Sequence, residues 1–193
     1  MHMQQTILFI DGENFTHKIE QILYKDKLHK DKIEIYNINL NALFKNKLKH
    51  LKISKKIFYN ARLHDNKDTP EKSTELIKSQ RKLRNTLTKQ GYEFKISGNV
   101  RAQKVDGKTL FREKGVDVKI AIDLVTLACD KKLDTAIICS SDSDLQPAIS
   151  ELKKRNVYVV YLGFSTDPNK GLMYTSNKTI LLKNNEVLKS FEN

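Results

Sequence analysis

The chain has 193 residues, 39% of them hydrophobic, and its 35 Lys and Arg against 23 Asp and Glu give a net charge of +12, which fits one core and leaves too little length for a second full domain. No apolar run approaches the roughly 20 residues that cross a bilayer, and Met1–Thr6 is polar instead of a signal core, so a cytoplasmic protein without a membrane partner is expected. The basic excess raises the local concentration of any polyanion and makes nucleic acid the natural partner, although lysines that merely solvate a surface give the same balance.

β-rich apolar runs alternate with stretches of helical period, a pattern that predicts an α/β fold with a mostly parallel sheet. Thr6–Gly12 (TILFIDG) is continuously apolar before its acid, as a strand buried on both faces should be. Glu13–Lys27 follows as a helix with Phe15, Ile19, Ile22 and Leu23 on one side, and Leu40–Leu51 as another through Leu43, Phe44, Leu48 and Leu51. Lys55–Leu63 reads as the second strand. Pro70 suits the first turn of a helix over Glu71–Gln90 that stops at Gly91. Tyr92–Gln103 and Thr109–Arg112 flank Asp106-Gly107, a hairpin signal that makes residues 100–112 look like an insertion. Val116–Lys132 is a helix on Val116, Ile120, Leu124, Leu127 and Ala128; Thr135–Ser140 a buried strand; Leu145–Arg155 a helix; Val157–Phe164 a further strand. Leu172–Leu182 supplies a short helix and an edge strand, and a loose helix ends the chain, so 1–164 is expected to form the domain and 165–193 its C-terminal edge. Cys129 and Cys139 lie in apolar surroundings without Cys or His partners and read as two buried free thiols.

Ligands bind beyond the carboxyl ends of strands in parallel sheets, and acids fall at such places here. Asp11 ends a strand in FIDGEN, Asp142 and Asp144 follow one in CSSDSDL, and Asp117 opens a helix in KGVDVKIAID. Taken singly, each is an ordinary turn or cap residue. Gathered together, like charges raise one another's pKa unless a cation neutralises them, and Mg2+ or Mn2+ suits an all-oxygen donor set.

FIDGEN at 9–14, KGVDVKIAID at 114–123 and CSSDSDL at 139–145, in this order, resemble the NYN domain, the LabA-like branch of the PIN-like nuclease superfamily. The resemblance implies a three-layer α/β/α fold and a ribonuclease-type site using Mg2+ or Mn2+, with Asp11, Asp117, Asp142 and Asp144 as catalytic metal ligands. Asn14, Asp123 and Ser140 are expected to support that set from behind, with Glu13 as a reserve ligand or a first-turn acid. Arg101, Lys104, Lys108, Arg112 and Lys114, on and beside the hairpin, are the candidate RNA-binding residues. After Phe164 the chain departs from the family pattern, since MYTSNKTILL offers Asn177 and Lys178 where an acid is usual.

The reading that competes is a PIN-like module that holds RNA or a protein without cutting it; a phosphoacceptor receiver domain fits the split acidic motifs less well. Self-association is left open by the sequence. None of His2, His17, His29, His50 or His64 falls within the three motifs, so water activation is expected from metal and carboxylates instead of imidazole.

Overall fold

A computed structural model describes residues 5–25, 34–66, 69–105 and 108–192, with backbone alone described over 101–105 and 108–112. Strands β1 (Thr6–Asp11), β2 (Ile53–Arg62), β3 (Glu93–Val105), β4 (Lys108–Lys114), β5 (Thr135–Cys139), β6 (Tyr158–Phe164) and β7 (Lys178–Leu182) form one sheet in the order β4-β3-β2-β1-β5-β6-β7. Every neighbouring pair is parallel except β3 and β4, whose antiparallel register runs from Asn99 opposite Lys114 to Val105 opposite Lys108.

The helices divide between the two faces because the strands alternate their side chains. Leu8 and Ile10 of β1 point to the layer of α1 (Gly12–Lys25), α2 (Leu40–Leu48), α3 (Pro70–Lys89) and α7 (Asn184–Lys189). Ile7 and Phe9 point to α4 (Val116–Cys129), α5 (Gln146–Lys154) and α6 (Lys170–Thr175). The result is a three-layer α/β/α fold. Burial of each fully enclosed Leu, Ile or Phe contributes about 1.5–3 kcal/mol before entropy is counted, which is why the central strands read as unbroken apolar runs.

Local chemistry sets the ends of elements. Pro70 opens α3, and Gly91, at φ +83, closes it while the Tyr92 amide donates to the Leu87 carbonyl at 3.0 Å. Several features differ from the sequence reading, and α4 ends at Cys129 instead of Lys132, with the Lys132 amide turning back to the Leu127 carbonyl (2.8 Å). α2 stops at Leu48 instead of Leu51, where the Leu51 amide turns back to the Leu48 carbonyl (2.9 Å). α5 begins at Gln146, one residue beyond a single 3-10 turn over Ser143–Leu145 that holds the SSDSD segment as a loop. Cys139 is buried as expected, but Cys129 is exposed, because it falls on the last turn of α4 away from the stripe of Val116, Ile120, Leu124 and Ala128 that meets the sheet.

At the far edge, Asn177 accepts a hydrogen bond from the Val159 amide (2.9 Å), and Lys178 starts the parallel strand β7. The Asp106-Gly107 turn lies outside the described residues. Among the described residues no helix is long and apolar enough to cross a membrane.

Strand order fixes where a site can form. From β1 the chain steps outward to β2 and β3 on one side, while β5, β6 and β7 are laid on the other. The connections leaving the carboxyl ends of β1 and β5 therefore diverge, and the crevice between them is the switch point at which α/β sheets take ligands.

Candidate active site

Asp117, Asp142 and Asp144 converge at that crevice, each offering a carboxylate oxygen within 4.8 Å of the other two. Two elements on opposite sides of the chain's topology achieve this. Asp117 is the second residue of α4, where the partial positive charge of the helix N-terminus favours an acid. Asp142 precedes the 3-10 turn and accepts the Asp144 amide at 2.9 Å, so the short loop after β5 presents both carboxylates from consecutive corners.

Asp11 lies beside this trio and is deeply buried, at 3% exposure. One carboxylate oxygen accepts the Asn14 amide (3.2 Å), and the other accepts the Asn14 side-chain amide (2.6 Å) and the Ser140 hydroxyl (3.0 Å). Burial pushes the Asp11 carboxyl up from its ordinary value; the bonds from Asn14 and Ser140 pull it down, and the charge of Asp142 adds to the rise. Asp11 is thus tied into the site through its neighbours: Ser140 also accepts the Asp142 amide (3.1 Å), and Asn14 accepts the Ser141 hydroxyl (2.6 Å). Gly12 lets the chain leave β1 at this point, since a Cβ there would lie 2.3 Å from the Tyr59 carbonyl and 2.5 Å from the Phe58 ring.

Asp123 stands elsewhere. Its carboxylate takes Lys119 at 2.6 Å, Lys95 at 2.7 Å and the Tyr59 hydroxyl at 2.9 Å, so it ties α4 to β2 and β3 instead of backing the trio. Desolvation pushes its carboxyl up, but the bonds from Lys119, Lys95 and Tyr59 together outweigh that and hold it below the ordinary range. Six residues on from Asp117, it occupies another side of α4, as 3.6 residues per turn require. Lys114 ends β4 with its side chain exposed. The side chains of Arg101, Lys104, Lys108 and Arg112 lie outside the described residues. His17 is bonded to Gln21, and His64 to Asn99.

Two contributors escape the sequence reading. Glu113 accepts the Val116 amide (2.8 Å) at the start of α4, and its carboxyl is pushed up by desolvation and by the nearby charges of Asp11, Asp117 and Asp142. Strand alternation was the available signal, since it turns Glu113 to the face opposite its neighbour Lys114. Asn169, which caps α6, donates its side-chain amide to the Ser141 carbonyl (2.8 Å) and so anchors the aspartate loop from the β6 side. Glu13 is solvent-accessible, yet its carboxyl is pushed up to about 7 by desolvation, then by Glu113 and Asp11.

The family model of the NYN domain matches residues 5–182. The chain belongs to the NYN domain family. That family is part of the PIN-like nuclease superfamily, and the match runs from the start of β1 to the end of β7. Among solved structures, a protein of unknown function from Vibrio parahaemolyticus is similar at 17% identity, covering 93% of each chain with a TM-score of 0.57; at that identity the likeness concerns the NYN fold alone. No curated protein matches the chain.

The donor chemistry of the site suits a hard divalent cation. Three carboxylates from two separate segments meet with no lysine or arginine bonded to them among the described residues, an arrangement whose mutual repulsion a cation relieves.

Proposed function

We propose that this NYN domain is a divalent-metal-dependent nuclease that hydrolyses phosphodiester bonds in RNA. The observation that carries this reading is the meeting of Asp117, Asp142 and Asp144 within 4.8 Å at the switch point of the sheet. Mg2+ or Mn2+ held there would polarise a phosphoryl oxygen and make a water more acidic.

The chain's own residues do the rest. Asp117, Asp142 and Asp144 supply the oxygen donors. Asp11, locked by Asn14 and Ser140, fixes the loop that presents Asp142 through the Ser140 hydroxyl. Glu113 and Glu13 both have carboxyls raised by desolvation and by the charge of Asp11, and a raised carboxyl is suited to giving or taking a proton. Glu13, near 7, is the group best placed in pKa to protonate a leaving oxygen.

The test is cleavage of a panel of single-stranded and structured RNA and DNA with Mg2+, Mn2+ or chelator. Metal-dependent cutting of RNA, abolished in folded Asp117→Asn and Asp142→Asn variants, is the expected result. RNA binding with no cleavage under any metal would leave a module that holds RNA without cutting it.

A further inference from the structure

A basic groove lies on the face of the sheet that α3 covers, between that helix, the carboxyl end of β2 and the first residues of β3. Its volume of about 270 Å3 is walled by Arg62, Arg81 and Arg84 and floored by Ile77, Phe94 and Ile96. We propose that it is the track by which a single strand of RNA approaches the carboxylates, with the three guanidinium groups on its phosphates. The destination rests on the nuclease reading; the binding itself does not.

Four observations carry it. First, no acid lines the groove, although Arg81 also borders a neighbouring cavity that Glu34 and Glu75 line. Among the described residues, moreover, none of the three arginines takes part in an ion pair or hydrogen bond. Neighbouring lysines are engaged: Lys55 with Glu93, Lys95 with Asp123 and Lys82 with the Tyr36 hydroxyl. Second, the spacing is directed. Ile77, Arg81 and Arg84 stand at i, i+4 and i+7 on α3, one stripe of the helix. From Leu76 to Lys89 that helix carries five basic residues and no acidic one, so the face is a continuous electrostatic attractor for a polyanion.

Third, the groove has a fixed width, because Gln80 between the two arginine turns donates its side-chain amide to the Ala61 carbonyl at 2.8 Å and pins α3 to the end of β2. Its volume lies just below the roughly 300 Å3 at which small-ligand sites begin. Such a slot takes an unstacked nucleotide against the Phe94 and Ile96 floor, and a duplex, whose bases are stacked away, has nothing to insert. Arginine is the residue for this task, because its planar fork binds phosphate oxygens in pairs. Fourth, the groove leads to the site. Asp11 is level with Tyr59 across the β1–β2 register, and Arg62 lies three residues further along β2, roughly 10 Å beyond that level. A strand leaving the groove over the end of β2 therefore arrives at the carboxylate crevice.

The experiment measures binding apart from cleavage: anisotropy of a labelled single-stranded RNA of roughly 12 nucleotides, in chelator, across a salt series. Arg81→Glu/Arg84→Glu is compared with wild type and with Lys154→Glu/Lys178→Glu, an equal charge change at exposed sites on α5, in the opposite helix layer, and on the edge strand β7. All four positions are exposed, and a milder Arg81→Gln/Arg84→Gln pair guards against a folding defect in the charge reversal. The α3 reversal should weaken binding at least about 10-fold near 0.1 M salt and flatten the salt slope by about 1.4, from roughly 0.7 for each single-strand phosphate no longer neutralised. The glutamine pair should give a smaller weakening in the same direction, and the distal control little change. Unchanged affinity and slope in the α3 variants overturns the groove, as does wild-type protein that binds no RNA, or duplex RNA bound as tightly through the same arginines. Arginine-dependent binding without metal-dependent cleavage would sink the nuclease reading and leave the groove standing; cleavage with arginine-independent binding would do the reverse.

Discussion

The Ser140 hydroxyl joins the two halves of the acidic site: it donates to buried Asp11 and accepts from the Asp142 amide. Removing it leaves one Asp11 oxygen a donor short and frees the loop that presents Asp142 and Asp144. Ser140→Ala should therefore lower metal-dependent cleavage by about 10–100-fold, the usual cost of losing a group that orients a metal ligand. Asp142→Asn removes a charged ligand at nearly constant shape and should cost more than that. Steady-state cleavage, with folding checked by circular dichroism, gives both numbers. Asp123 predicts the opposite behaviour. It binds Lys95, Lys119 and the buried Tyr59 hydroxyl, so Asp123→Ala should destabilise the fold by about 1–3 kcal/mol through groups left unpaired while retaining most activity at a temperature where the variant is folded. A urea melt unchanged by this substitution, with activity lost, would place Asp123 in the chemistry after all.

Between elements, the junctions govern the site more than the strands do. Gly98 on β3 sits at φ +71 with the Lys114 carbonyl 2.5 Å from where a Cβ would be, and the Glu113 carboxylate and Val116 amide at 3.0 Å. Gly98→Ala would push on the β4–α4 junction that positions Glu113 and Asp117. We expect a loss of about 1–3 kcal/mol from overpacking and backbone strain, and a fall in cleavage that persists at temperatures where the protein stays folded. Strand and helix order were legible in the sequence because Ile7–Ile10, Ala136–Cys139 and Val159–Leu162 are apolar on both faces, and because Pro70 and Gly91 mark the ends of α3. Asp11, Asp142 and Asp144 were legible because turn chemistry after a buried strand has little other reason to place acids there twice, and Asp117 because KGVD opens a helix. The role of Asp123 was not: Lys119 is an i,i+4 partner on the same helix, but Lys95 and Tyr59 come from β3 and β2, and only the fold brings them to it. Nor was the arginine groove, since Arg62 lies 19 residues before Arg81 and the pair becomes neighbours only when α3 folds back along β2.

Across the whole molecule, a chain of net charge +12 concentrates acids at one crevice, and that concentration should be visible as a pH- and metal-dependent stability. Without metal, the folded-state carboxyls of Asp11, Glu13 and Glu113 lie above their ordinary values, with Glu13 at about 7. The sign follows from proton counts. Between the ordinary carboxylate range and about 7 the unfolded chain has released protons that the folded chain still holds, so stability falls as pH rises through this window. Below the ordinary range both states are protonated and the penalty vanishes; above about 7 it is complete. Glu13→Gln removes one of these groups and should raise the melting temperature at pH 8 while leaving it nearly unchanged at pH 4, with other titrating groups common to both proteins. A divalent cation bound to the folded state alone stabilises it by RT ln(1 + [L]/Kd), about 2.7 kcal/mol at a hundredfold excess over Kd. Glu13, with its carboxyl at about 7, is protonated at pH 5 and charged at pH 8, so the Mg2+- or Mn2+-induced rise in melting temperature should be larger at pH 8 than at pH 5. It should be absent in Asp142→Asn. Thermal melts at the two pH values, with and without metal, read all of this in one series, and a metal-induced rise that is equal at both, or that survives in Asp142→Asn, would move the cation away from this crevice.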